Sequence, residues 1–331
     1  LEAKEIAVIG GGSWATAIVK MLSNNAEKVH WWMRDADKAK YINKYLHNPR
    51  YLSSVQFVRE KINVSNDLTG IISKAQCVVI ATPSAFLMDV FGDRDNSDLE
   101  HKIVYSAVKG IVPEVHQIPA RFFHKRFGTP YENIGIISGP CHAEEVALER
   151  LSYLTIACQS QENAKILADL LECRYIKTHL SEDLFGTEIS AILKNIYAVA
   201  AGIYNGLGYG DNFQAVLISN AVQEIERFVD ALNPIHRDVK SSAYLGDLLV
   251  TAYSNFSRNR TFGSMVGKGY SVTSAQMEMN MTAEGYYAAK SIIKINEKFK
   301  VDIPIAEAVY RVLYEGISPV VEMRILADKL V

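Results

Sequence analysis

Near the start of the chain, the run IAVIGGGSWATA places Gly10-x-Gly12-x-x-Ala15 between a strand-like apolar segment and a helical one. Such a turn has few physical uses. Its first glycine permits a tight bend, its second lets the backbone approach an anion with no side chain in the way, and a small third residue lets the helix pack close on the sheet. The following helix aims its unpaired N–H groups and positive dipole end at that anion. The spacing predicts a dinucleotide pyrophosphate held at Gly10 and Gly12. A second strand pattern ends about twenty residues on, in HWWMRDAD, where the ribose is read. An acidic residue there binds ribose hydroxyls, whereas an arginine accommodates a 2′-phosphate. Arg34 favours NADP(H), and Asp35 directly after it keeps NAD open.

The rest of the first half continues the alternation, with strand-like runs at 5–9, 29–33, 62–65, 77–81, 103–106, 134–137, 154–157 and 175–177 and amphipathic segments such as 16–23 and 162–171. That rhythm predicts an α/β fold, a Rossmann-type parallel sheet. After about Thr178 strand-like runs cease and helical spacing takes over, opened by a long helix around 190–201 and punctuated by glycine-rich turns at 206–210 and 263–269. A chain of 331 residues exceeds the ~250–300 that one core usually serves. The expected division is an NAD(P)-binding Rossmann domain over 1–180 and an all-helical substrate-binding and catalytic domain over 181–331, with a packed interface and a ligand cleft between them.

The formal net charge of -2 offers no basic surplus for nucleic acid, so any phosphate must be bound locally. No stretch runs to ~18 uninterrupted apolar residues, which argues against membrane insertion. The apolar segment 189–207 carries Lys194, Asn195 and Asn205, as suits a buried helix. LEAKEIAVIGGG enters a strand at once and predicts no cleavable leader. Cys77, Cys141, Cys158 and Cys173 are scattered without a C-x-x-C pair, arguing against disulfides or structural zinc and for a reducing cytoplasm.

Several clusters combine polar groups with turn or helix-start chemistry. Lys109, in SAVKG just past a strand end, stands where the carboxyl edge of a parallel sheet meets ligand; alone it reads more readily as a solvated loop lysine. SGPCHA brings Gly139 and Cys141 to a sharp turn, and Cys141-His142 are too close in sequence to serve as a nucleophile pair. Lys194, inside an apolar helix, either snorkels to water or is kept for chemistry; burial and neighbouring cations would lower its pKa toward that of a proton donor. Ser257-Arg258-Asn259-Arg260 offers a forked guanidinium and neutral donors to a phosphate dianion, although such a string is more often a charged surface. Glu284, in AEGY, sits at an expected helix start, where a capping role is the plain alternative.

In order and spacing, GGGSWATA, VKG, SGPC, LKN, LGDLLVT, SRNRTFG, AEGY and VLYEG resemble the bacterial-type NAD(P)-dependent glycerol-3-phosphate dehydrogenases along nearly the whole chain. The resemblance implies a helical second domain like that of 6-phosphogluconate dehydrogenases and reduction of dihydroxyacetone phosphate to glycerol 3-phosphate, feeding glycerophospholipid synthesis. It implies nucleotide contacts at Ser13, Trp14, Arg34, Tyr51 and Lys109, with Ala143, Arg258, Thr282 and Glu284 closing over the cofactor. Lys194 takes the place of the general acid/base, assisted by Lys109 and Asp247. Gly139, Cys141, Ser257, Arg258 and Asn259 fall at substrate positions. The implied enzyme is cytoplasmic, needs no metal, and forms a homodimer in many relatives. Departures are Cys141 for a usual threonine, Ala15 for the third glycine, SAYLGDL with Tyr244 near Asp247, and LISNAVQE where an arginine often stands. Two rival readings are a hydroxyacid or 6-phosphogluconate type dehydrogenase, which shares a lysine–asparagine helix, and a non-catalytic NADP(H) sensor. The Ser-Arg-Asn-Arg run favours a small phosphorylated substrate over a plain hydroxyacid, and an intact Lys194 and phosphate loop weigh against the sensor.

Overall fold

A computed structural model of the chain describes residues 4–279 and 283–331. The chain gathers into two compact units. One is built from the chain up to Val108 together with Pro119–Leu184, the other from Lys109–Ile118 together with Phe185–Val331.

In the first unit, β1 (Glu5–Ile9), β2 (Lys28–Trp32), β3 (Ile62–Ser65), β4 (Cys77–Ile80), β5 (Ile103–Ser106), β6 (Ile134–Ser138), β7 (Ser152–Cys158) and β8 (Ile176–Ser181) form one sheet in the order β3-β2-β1-β4-β5-β6-β7-β8. β4 and β5 are buried at every position, as strands covered on both faces must be. The helices are α1 (Ser13–Leu22), α2 (Ala36–Tyr45), α3 (Leu68–Ile72), α4 (Leu87–Phe91), α5 (Pro119–Phe127), α6 (Ala143–Ala147) and α7 (Gln161–Leu171). Strand order reverses between β1 and β4, and ligands of such sheets bind at the carboxyl ends flanking that reversal.

The sheet is mixed, which corrects the expectation of a parallel one: β7 runs antiparallel to β6. A parallel return needs a crossover long enough to carry the chain back along the sheet. Here the only helix between the two strands is α6, a turn and a half long, and the chain re-enters from the end it left. The last strand is also longer than the predicted 175–177. Its Lys177 and His179 are exposed, and polar residues on an edge strand hide it from an apolar pattern.

The second unit contains α8 (Leu184–Gly206, its first residue in the other unit), α9 (Asp211–Leu232), α10 (Asp247–Tyr253), α11 (Arg258–Gly267), α12 (Val272–Glu278), α13 (Glu284–Phe299), α14 (Pro304–Tyr314) and α15 (Pro319–Ala327). α8 is buried on all sides from Thr187 to Tyr204, the mark of a central core helix. A helix packed against it explains an error of the sequence reading. The run 263–269 was expected to be a turn, yet Gly263 and Gly267 lie inside α11. A Cβ on Gly263 would stand 2.1 Å from the Val199 oxygen, and one on Gly267 2.3 Å from that of Ile203. Reciprocally, a Cβ on Gly202 would meet the Arg260 oxygen at 2.1 Å and one on Gly206 the Ser264 oxygen at 2.4 Å. Two Gly-x-x-x-Gly faces thus interlock, backbone on backbone. Gly285, in the first turn of α13, does the same against the Asn195 oxygen, at 2.5 Å.

Elsewhere in this unit, the buried Glu224 carboxylate accepts from the Ile305 and Ala306 N–H groups at 2.9 and 3.0 Å, satisfying the first turn of α14 from a distance. Ile111 and Ile118, from the segment between β5 and α5, belong to the same helical core. Among the described residues, no helix is long and apolar enough to cross a membrane.

Candidate active site

The Gly10–Ala15 turn sits at the carboxyl end of β1. Gly10 has φ +140°, and a Cβ there would lie 2.6 Å from the Ala81 oxygen, so only glycine fits. Above Gly12 the opposite holds: a Cβ would meet nothing within 4 Å. Gly12 caps α1 without any side-chain hydrogen bond, and the first turn of that helix holds no acidic residue. A helix N-terminus open at Gly12, with no side-chain cap and no acidic residue in its first turn, is the donor set a pyrophosphate requires, and these residues fit a dinucleotide.

Two residues absent from the sequence reading hold this turn in shape. The buried Trp31 donates its Nε1–H to the Gly10 oxygen at 2.6 Å. Asn48, 2% exposed, donates from Nδ2 to Thr16 Oγ1 at 2.9 Å, while its Oδ1 accepts from the Arg50 and Tyr51 N–H groups at 3.0 and 3.2 Å. Asn48 therefore ties Tyr51 to the turn. An isolated asparagine carries no such signal in sequence.

At the end of β2, Arg34 is exposed and its guanidinium stacks over the Phe86 ring, 5.6 Å from the centroid. Asp35 is occupied otherwise. As the cap of α2 it accepts from the Asp37 and Lys38 N–H groups, both at 3.1 Å, and pairs with Lys38 Nζ at 3.1 Å. The Lys38 backbone N–H, foremost, holds its carboxyl below the usual range. In the same unit, Gly139 takes φ +112° beside the Tyr153 oxygen, Cys141 is buried and in no disulfide, and Ala143 begins α6.

The second unit brings together residues that lie far apart in sequence. Asp247, at the start of α10 and 1% exposed, places one carboxylate oxygen against Lys194 Nζ and the other 3.3 Å from Lys109 Nζ. Burial drives the Lys194 ammonium down to about 7; Asp247 opposes that shift and Lys109 reinforces it. Burial would raise the Asp247 carboxyl, but Lys109 and Lys194 outweigh it and hold the group below its ordinary value. The result is an ionised carboxylate gripping an amine poised near neutrality, the property a proton donor to a forming alkoxide needs.

A chain of amides fixes this cluster. Asn195 Nδ2 donates to the Lys109 oxygen at 2.6 Å, its Oδ1 accepts from Asn259 Nδ2 at 2.9 Å, and Asn259 Oδ1 accepts from the Gly285 N–H at 2.9 Å. The glycine contacts that press α8 against α11 and α13 make these bonds reachable. Ser257 caps α11, accepting from the Arg260 N–H; Arg258 and Glu284 are the first residues of α11 and α13. Tyr244 is buried in the helical core, in a π-helical turn directly before Asp247. Thr282 lies outside the described residues.

Residues 5–164 match the family described as NAD-dependent glycerol-3-phosphate dehydrogenase N-terminus, and residues 183–324 match its C-terminus. The glycerol-3-phosphate dehydrogenase [NAD(P)+] of Macrococcus caseolyticus is 32% identical over 315 residues, 95% of either chain; that of Staphylococcus aureus is 33% identical over 317 residues, again 95% of each. The chain belongs to the NAD-dependent glycerol-3-phosphate dehydrogenase family. The crystal structure of the glycerol-3-phosphate dehydrogenase from Coxiella burnetii superposes with a TM-score of 0.91 at 27% identity, covering 98% of this chain and 99% of that one. A ketopantoate reductase from Ralstonia eutropha shares only the fold, with TM-score 0.59 and 14% identity. The dehydrogenase is an NAD(P)-dependent oxidoreductase, and the rival sensor reading falls. Of the residues expected to act on substrate in this dehydrogenase, Lys109, Lys194, Asp247 and Asn259 join one hydrogen-bonded network, with Asn195 as the link that sequence reading had not assigned.

Proposed function

We propose that this dehydrogenase reduces dihydroxyacetone phosphate to sn-glycerol 3-phosphate with NADPH as its preferred reductant, Lys194 supplying the proton. The observation that carries the reading is the Asp247 carboxylate shared by Lys194 and Lys109. When bound, NAD(P)H supplies the hydride that adds to the carbonyl carbon. The carbonyl oxygen, gaining charge, takes a proton from Lys194 Nζ, and the amine left behind is stable because burial already disfavours its charged form. Asp247 fixes the direction of Nζ, and the Lys109 ammonium stabilises negative charge as it develops. Arg258, with the N-terminus of α11 behind it, suits the substrate phosphate. Anchoring that remote group positions the reacting carbon. Asn259 takes part through its bond to Asn195 as much as by direct contact.

Preference for NADPH rests on Arg34, which is exposed and stacked on Phe86, while Asp35 is engaged as a helix cap. The test follows nucleotide absorbance with dihydroxyacetone phosphate and either NADPH or NADH, in wild type and Lys194→Ala. The variant is expected to lose turnover by at least ~100-fold while still binding nucleotide. Wild-type turnover by Lys194→Ala would remove this lysine from the mechanism. Faster oxidation of NADH than NADPH by the wild type would overturn the cofactor preference alone.

A further inference from the structure

Thr187, Ser190 and Lys194 follow one another on α8 at spacings of three and four residues, so they share one face, a turn apart. Thr187 and Ser190 are 0% and 1% exposed, and neither hydroxyl has a hydrogen-bond partner among the described residues. Buried hydroxyls seldom go unsatisfied. A serine or threonine in a helix can fall back on the carbonyl four residues earlier, as Thr16, Ser219, Thr251 and Thr261 do in this chain. Thr187 and Ser190 do not. They lie in the one segment of the molecule that also carries the buried proton donor.

Residues a turn apart have Cβ atoms about 5–6 Å from each other, too far for hydroxyl to meet hydroxyl and about the span that a water bridges. A buried water needs two to four polar partners. Thr187 and Ser190 supply two, and the Lys194 ammonium, with three donors, supplies a third beside its bond to Asp247. Lys194 itself is 3% exposed, so bulk water has little direct access to the amine.

We propose that Thr187 and Ser190 hold a short file of buried water that returns a proton to Lys194 after each reduction. This rests on Lys194 being the proton donor. In the reduction an N–H bond of Lys194 breaks as the O–H bond of the product forms, leaving a neutral amine. That amine takes a proton from the water beside Ser190, which is replenished in turn past Thr187. Each oxygen accepts one proton and passes one on, and one solvent proton is consumed per hydride with no further reactant.

The test is Ser190→Ala, Thr187→Val and the double variant, assayed with dihydroxyacetone phosphate and whichever nucleotide the wild type oxidises faster. Single-turnover reduction below pH 7 starts with Lys194 charged, so its rate is expected to stay within twofold of wild type. Steady-state kcat is expected to fall by roughly 3–10-fold, well short of the ~100-fold or more that loss of the proton donor itself would cost, with an increased solvent deuterium isotope effect and unchanged KM. A melting temperature held at or above wild type establishes that the variants fold. Steady-state kcat and isotope effect both unchanged in the double variant would overturn the proposal. So would a single-turnover rate that falls as far as kcat, since that is the mark of a displaced Lys194 and not of a slow proton return. Failure of the Lys194 reading is seen separately, as turnover surviving in Lys194→Ala.

Discussion

The chemistry proposed for Lys194 comes from its surroundings more than from its own identity. A lysine in water holds its proton to about pH 10.4; here burial brings the ammonium down to about 7. The sign of the resulting pH dependence follows. On the proposed mechanism reduction needs the protonated amine, so its rate is expected to be level below pH 7 and to fall about tenfold per unit above it. Oxidation of glycerol 3-phosphate needs the neutral amine and should rise through the same pH. Parallel pH profiles of kcat/KM in both directions check this, and reduction that stays level from pH 7 to 9 would contradict it. Arg34 is a residue of the same kind, placed by a ring instead of a carboxylate. A charge-assisted bond to phosphate is worth about 1.5–3 kcal/mol. Arg34→Gln is therefore expected to raise KM for NADPH by ~10-fold or more while moving that for NADH less than twofold, as measured by steady-state titration with each nucleotide.

Elements carry the precision that these residues need. α8 reaches Asn259 and the first turn of α13 only because glycines let three helices touch through their backbones. Gly263→Ala would drive a methyl group into the Val199 carbonyl, which has no flexible end to yield. Overpacking typically costs about 1–3 kcal/mol, and a methyl driven into rigid backbone belongs at the upper end, expected as a loss of roughly 6–12 °C in Tm in thermal unfolding, or as failure to accumulate soluble protein. A variant melting within 2 °C of wild type would show that α11 can move away freely. The same contact shows what sequence could and could not convey. The strands of the first unit were legible because burial on both faces leaves continuous apolar runs, and the Gly10 turn because its neighbours are a strand and a helix. Strand direction leaves no trace in hydrophobic period, which is why the reversal at β7 went unseen. Gly263 and Gly267 were misread because a glycine looks alike in a turn and in a tight crossing. Only the matching Gly202-x-x-x-Gly206 spacing on α8 could have distinguished them. Lys194, Asp247 and Lys109 were assigned from resemblance; a single sequence gave no reason for one carboxylate to serve both lysines.

At the scale of the whole molecule, the chain passes between its two units three times: after Val108, after Ile118 and after Leu184. The short excursion of Lys109–Ile118 is no ornament on the sheet that precedes it. It contributes Ile111 and Ile118 to the helical core, pairs Val112 with Gln117 in its own small bridge, and offers the Lys109 carbonyl to Asn195. The units are therefore not interchangeable cassettes. A chimaera of two relatives joined only near residue 184 would inherit Lys109 from one parent, and Lys194, Asn195 and Asp247 from the other. Exchanging one whole unit between relatives while keeping Lys109, Lys194, Asn195 and Asp247 of one ancestry has to move three joints together, so the cluster travels with the helical unit only as a discontinuous block.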